Sequence, residues 1–127
     1  DVYEAITLGD MICLLDAGQM KQMGTPKEML FQPHSDFVKA FFDAQRFRLE
    51  LRVTTLEEVL AYTNLSDNRQ EAFSEADAGQ SIWETLEQIE KRNQPYVSIS
   101  SNGQFMGLAT PETLLGAFYQ YKKQWDA

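Results

Sequence analysis

At 127 residues and 14.6 kDa, the chain has room for one ordinary domain or two very small ones and is too short for most complete multi-part enzymes. Its 43% hydrophobic and 24% charged residues are ordinary globular usage, so it is expected to fold. Eleven Lys and Arg against nineteen Asp and Glu leave a net charge of -8 and a pI near 4.5, which argues against nucleic-acid phosphates and anionic lipid surfaces as partners.

Residues 3 to 8 read as a short helix with Ala5 and Leu8 on one side, ending at Gly9 in a left-handed cap. Met11-Ile12-Cys13-Leu14-Leu15 is a short apolar run between Asp10 and Asp16 and predicts a buried strand, with Cys13 as a small core residue. Asp16-Ala17-Gly18 supplies turn residues, and Gln19 to Met23 alternates polar with apolar, completing a β-hairpin whose second strand has one wet face. Thr25-Pro26-Lys27-Glu28 carries a cap, a proline at the first helical position and a capping-box glutamate. Pro33 stops that helix. Asp36 restarts one, with Phe37, Ala40 and Phe41 on one stripe, running on through Phe47 and Leu51.

Thr55 can cap a helix carrying Leu56, Val59 and Leu60, whereas residues 66 to 79 have few apolar anchors. Seven acidic residues (67, 71, 75, 77, 84, 87, 90) against one basic residue (69) mark the stretch from 67 to 90 as a solvated, acidic face. Ile82, Leu86 and Ile89 then define an amphipathic helix ending near Asn93. Tyr96 to Ser100 alternates as a strand, Asn102-Gly103 is a type I′ hairpin signal, and Gln104 to Ala109 is the return strand. Thr110-Pro111 launches a last helix with Leu114, Leu115, Phe118 and Tyr121 on its stripe.

Chemistry is limited by what the sequence lacks. Cys13 is the one cysteine and His34 the one imidazole, so no internal disulfide, four-thiolate zinc site or His-x-x-x-His pair can form, and no metal ligand set is expected. A Ser/His/Asp triad would have to use His34, which stands in a polar connector between Pro33 and Ser35, and no catalytic residue is assigned. No stretch approaches the roughly 20 apolar residues of a membrane span, so direct membrane insertion is not expected. Cysteine usage reads as intracellular, and an opening without Met, in what looks like the middle of a structured unit, suggests a piece of something longer.

Two resemblances follow from motifs in order. Asp1-Val2-Tyr3-Glu4-Ala5, Leu8-Gly9-Asp10-Met11-Ile12, Asp16-x-Gly18, Gln22-x-Gly24-Thr25-Pro26-x-Glu28, Pro33 and Phe37-Val38-x-x-Phe41 resemble the segment of ABC-transporter ATPase subunits that follows the switch histidine, with Met11 where Arg is usual. Residues 75 to 125, with Pro95-Tyr96-Val97-Ser98-Ile99 and Asn102-Gly103-x-Phe105-Met106-Gly107-Leu108-Ala109-Thr110, resemble one CBS motif, the small β-α-β-β-α module that usually works in pairs. Together they resemble the ATPase subunit of quaternary-amine uptake systems for glycine betaine, proline, choline or carnitine, and Phe42 to Arg52 looks like the junction in that branch.

The expected fold class is therefore α+β, a hairpin with short helices followed by a CBS-like β-α-β-β-α unit. The resemblance implies three parts: 1–45 as the end of the ABC ATPase domain, 46–79 as a helical linker, and 80–127 as a CBS-like regulatory domain. It implies ATP and Mg²⁺ in the parent subunit, with no cofactor in this segment beyond a possible adenine nucleotide on the CBS unit. Ligand contacts are expected from Tyr96, Val97 and Thr110, although Thr113 stands where the family has an Asp that holds the ribose. A lone motif leaves a sheet face uncovered, so a homodimer is expected, with Trp83, Phe105 or Phe118 near the contact. The parent would meet a membrane permease subunit and lie in the cytoplasm, peripheral to the inner membrane. ATP hydrolysis by the segment itself is not expected, because no Gly-x-x-x-x-Gly-Lys-Ser/Thr cradle is present. The alternative is a free-standing dimeric CBS-type module that binds adenine nucleotide.

Overall fold

Ala17 and Gly18 both take positive φ, 51° and 77°, and so close the first hairpin with the two left-handed residues that a tight turn needs. The computed structural model describes residues 4–6, 9–68 and 74–126, and the chain divides into two units, Asp1–Val53 and Thr54–Ala127. Both are mixed α+β, as the sequence predicts. No helix among the described residues is long and apolar enough to cross a membrane.

In the first unit, β1 (Ile12–Asp16) pairs antiparallel with β2 (Gln19–Gly24), with a bulge between Leu14 and Leu15. Helix α1 (Pro26–Phe31) starts at the Thr25 capping box: Thr25 Oγ1 accepts from Glu28 N at 3.2 Å and Glu28 Oε1 accepts from Thr25 N at 3.3 Å. Helix α2 (Asp36–Phe42) is capped by Ser35, a 3₁₀ turn covers Asp43–Gln45, and α3 (Arg46–Val53) follows. Leu14, Met29, Leu30, Phe31, Val38, Phe42, Leu49 and Leu51 form the core.

Four expectations change here. The helix predicted to run from Asp36 through Leu51 is broken at the 3₁₀ turn, where Arg46 reaches back to donate to Leu30 O at 2.6 Å and to Lys39 O, and pairs with Asp43 at 3.3 Å. Gly9 is not left-handed. Its N–H donates to Ala5 O at 2.9 Å, and a Cβ there would lie 2.5 Å from that oxygen, so close approach is what requires glycine. Residues 3, 7 and 8 of that predicted helix lie outside the described residues.

The wet and dry faces of β2 are also exchanged. Gln22 is buried while Met20 and Met23 are exposed, because the Gln22 amide accepts from His34 N at 2.8 Å and donates to Gln32 O at 3.2 Å, tying the connector to the sheet. On the opposite side of that pairing Cys13, partner of Met23, is exposed rather than core. Of the phenylalanine stripe, Phe42 is buried, whereas Phe37, Phe41 and Phe47 are exposed.

In the second unit, Thr55 makes the other capping box and starts α4 (Leu56–Val59), with Glu58 Oε1 accepting from Thr55 N at 2.9 Å. A strand absent from the sequence reading, β3 (Glu75–Asp77), pairs parallel with β4 (Val97–Ser101), and β4 pairs antiparallel with β5 (Gln104–Ala109). Helix α5 (Ile82–Arg92) crosses between the parallel strands and ends on Asn93 at φ 51°, one of the few side chains that tolerate a left-handed cap. Helix α6 (Pro111–Lys123) follows β5. The order from Glu75 onward is β-α-β-β-α. Leu56, Val59, Ile82, Val97, Ile99, Leu114 and Phe118 are fully buried, each contributing about 1.5–3 kcal/mol of apolar transfer.

Glu58 also receives the Tyr121 hydroxyl at 3.2 Å, joining α4 to α6. Burial raises the Tyr121 pKa above the ordinary tyrosine value, against a hydrogen bond with Trp125 that lowers it, while Tyr62 adds to the rise.

Candidate functional site

The second hairpin and the segment before it build one end of the second unit. Asn102 and Gly103, at φ 53° and 79°, make the turn that returns the chain along β5. At Gly107 φ is +147°, and a Cβ would lie 2.4 Å from Leu65 Cβ. That glycine lets residues 64–68 lie against the free edge of β5, where Leu108 N donates to Ser66 O at 2.8 Å. β5 then ends at Thr110, the N-cap of α6, whose Oγ1 accepts from Thr113 N at 3.1 Å.

Between this strap and the start of α6 lies a cavity of about 320 Å³. Among the described residues it is lined by Asn64, Ser66, Asn68, Tyr96, Leu108, Thr110 and Thr113. Thr110 Oγ1 and Thr113 Oγ1 are 3.0 Å apart and share one hydrogen bond. The arrangement suits a small polar guest: amides and hydroxyls can fix its orientation, with an aromatic and an aliphatic side chain beside them.

The structure brings Tyr96 and Thr110 together at this cavity. Val97 stands next to Tyr96, but its side chain is 0% exposed and belongs to the core. Sequence reasoning missed Asn64, Ser66 and Asn68, which lie in the segment without apolar periodicity; the one usable signal was Gly107 within a strand, a mark of close backbone approach. Thr113 is confirmed as a wall residue with a hydroxyl where the resemblance expects a carboxylate. Of the three residues expected at a dimer contact, Trp83 and Phe105 are half-buried. Phe118 is 0% exposed, so it packs the core and offers no surface to a second copy.

The first unit holds a larger cavity, about 480 Å³, lined by Ile6, Gly9, Thr25, Pro26, Lys27, Arg52 and Val53. Burial lowers the Lys27 pKa to about 8. No three His, Cys, Asp or Glu side chains cluster as a metal site among the described residues.

Comparison with known proteins places the chain beside transport ATPases. It is 39% identical over 62 residues to the glycine betaine uptake system ATP-binding protein YehX of Escherichia coli (strain K12), an alignment covering 49% of this chain and 20% of the relative. It is 46% identical over 46 residues to the glycine betaine/carnitine/choline transport ATP-binding protein OpuCA of Bacillus subtilis (strain 168), covering 36% of this chain and 12% of the relative. Against the spermidine/putrescine import ATP-binding protein PotA of Clostridium novyi (strain NT), identity is 25% over 120 residues, covering 94% of this chain and 32% of the relative. These relatives are ATP-binding subunits of ABC transporters, and the chain spans a third or less of their length. No family model matches the chain, and no solved structure matches it.

Proposed function

We propose that the chain is a regulatory C-terminal segment of the ATP-binding subunit of an ABC importer for glycine betaine, proline or related osmoprotectants. In this reading residues 1–45 close the ATPase domain, 46–79 link, and 80–127 form a CBS-like unit that biases the transporter between working and idle states. The observation that carries the reading is the order within one chain: a hairpin segment similar to transport ATPases, then a β-α-β-β-α unit with a polar cavity at the start of its last helix.

A ligand in that cavity can shift transport only by binding one state of the subunit better than the other. The strap is a plausible sensor element because Ser66 and Asn68 line the cavity while the Ser66 carbonyl is held by β5. ATP and Mg²⁺ belong to the rest of the parent subunit, which would lie in the cytoplasm against a membrane permease. Two copies of the unit would pair through surface that includes Trp83 and Phe105.

The test is made in the reconstituted parent transporter with Tyr96→Ala and Thr110→Val together. Transport at saturating ATP should persist while its response to the regulatory condition is lost; an unaltered response would remove the cavity from the mechanism. Light scattering of the 127-residue chain at tens of micromolar should give a dimer, and a monomer would contradict the pairing.

A further inference from the structure

Every polar side chain lining the 320 Å³ cavity among the described residues is neutral: the amides of Asn64 and Asn68, the hydroxyls of Ser66, Thr110 and Thr113, and the Tyr96 phenol. The threonine pair is the most specific of these. Thr110 Oγ1 already accepts from Thr113 N, and one of the two hydroxyls donates to the other across 3.0 Å. Whichever donates, the other keeps its proton for a guest. The pair therefore offers one donor plus free lone pairs, which matches a ligand hydroxyl or ring nitrogen.

An anionic guest fares worse. A phosphate would have to shed water with no cationic partner among the described lining residues. Asp67 stands between Ser66 and Asn68, and Glu112 lies in the first turn of α6, both exposed. The unit as a whole carries five basic against eleven acidic residues. The volume is near the lower end of ligand pockets, about 300–1,000 Å³, and Tyr96 and Leu108 supply aromatic and apolar surface for a flat ring.

We infer that the cavity takes a neutral nucleoside-class ligand, a planar heterocycle with a hydroxylated arm, in preference to its phosphorylated form. The inference rests on reading residues 54–127 as a ligand-binding unit. The probes are adenosine, guanosine, uridine and their 5′-monophosphates, titrated calorimetrically into the 127-residue chain at low and at physiological salt. At least one nucleoside should saturate with a Kd about tenfold below that of its monophosphate at low salt, the gap narrowing as salt screens the acidic surface. Arg69, outside the described residues, is the one basic residue from 67 to 90, and the monophosphate arm includes whatever it contributes. Tyr96→Ala and Thr113→Val should each weaken nucleoside binding about tenfold. The comparison of nucleoside with monophosphate needs only the unsubstituted chain, so it stands if either variant fails to fold. A monophosphate that binds as tightly as its nucleoside overturns the inference and leaves the ligand site standing. Absence of heat with all six compounds overturns both.

Discussion

Replacing Gly107 with Ala would put a Cβ 2.4 Å from Leu65 Cβ and 3.1 Å from Leu65 Cδ1 and Ser66 O, on a backbone at φ +147°. Overpacking of this kind costs about 1–3 kcal/mol, and holding a side chain at such a φ costs about 1–3 kcal/mol more. The strap can escape the clash by lifting from β5. It then gives up the 2.8 Å bond from Leu108 N to Ser66 O, worth about 0.5–1.5 kcal/mol, and the Leu65 packing, while the φ strain stays. A net loss of about 2–4 kcal/mol is expected. Urea unfolding followed by tryptophan fluorescence reads this unit specifically, because Trp83 and Trp125 both lie in it. Adding Leu65→Ala removes the clash but not the strain, so the double variant should be at least about 1 kcal/mol more stable than the sum of the single effects. A Gly107→Ala loss below about 0.5 kcal/mol, or strict additivity with Leu65→Ala, would refute the close-approach argument.

Three further outcomes are expected. Gln22→Leu keeps side-chain volume but strips His34 N and Gln32 O of their partner, so thermal unfolding followed by circular dichroism should show a loss of about 2–4 kcal/mol; a change within about 0.5 kcal/mol would contradict the tie. Lys27 has a folded pKa of about 8, below its model value of 10.5, so the unfolded chain binds more protons between those values and its contribution makes stability rise with pH across that window. Lys27→Met should abolish that rise, and a rise that survives would assign it to another group. A phosphate-release assay on the 127-residue chain with ATP and Mg²⁺ should stay at background, since the sequence has no phosphate cradle; turnover above background would sink that expectation.

Features encoded by neighbouring residues were legible in the sequence. Thr25 with Glu28, Thr55 before Leu56, Asn102-Gly103 and Thr110-Pro111 each settle a backbone conformation within four residues, and each appears as predicted. What depended on distant partners was not. β3 is three residues long and is a strand only because β4, more than twenty residues later, pairs with it. Gln22 reads as the wet position of β2 until the connector over Gln32 to His34 supplies its hydrogen bonds, and burying it turns two methionines outward. The candidate site divides along the same line: Tyr96 and Thr110 flank a recognisable hairpin, whereas Asn64, Ser66 and Asn68 reach the cavity through a strap whose placement depends on a glycine some forty residues on.

The reading of residues 54–127 as a regulatory unit is tested most directly by deleting them from the parent subunit and measuring glycine betaine uptake by the reconstituted transporter as salt is varied. The account predicts that uptake continues and that its salt dependence flattens. Uptake that still switches with salt as in the intact transporter would contradict it.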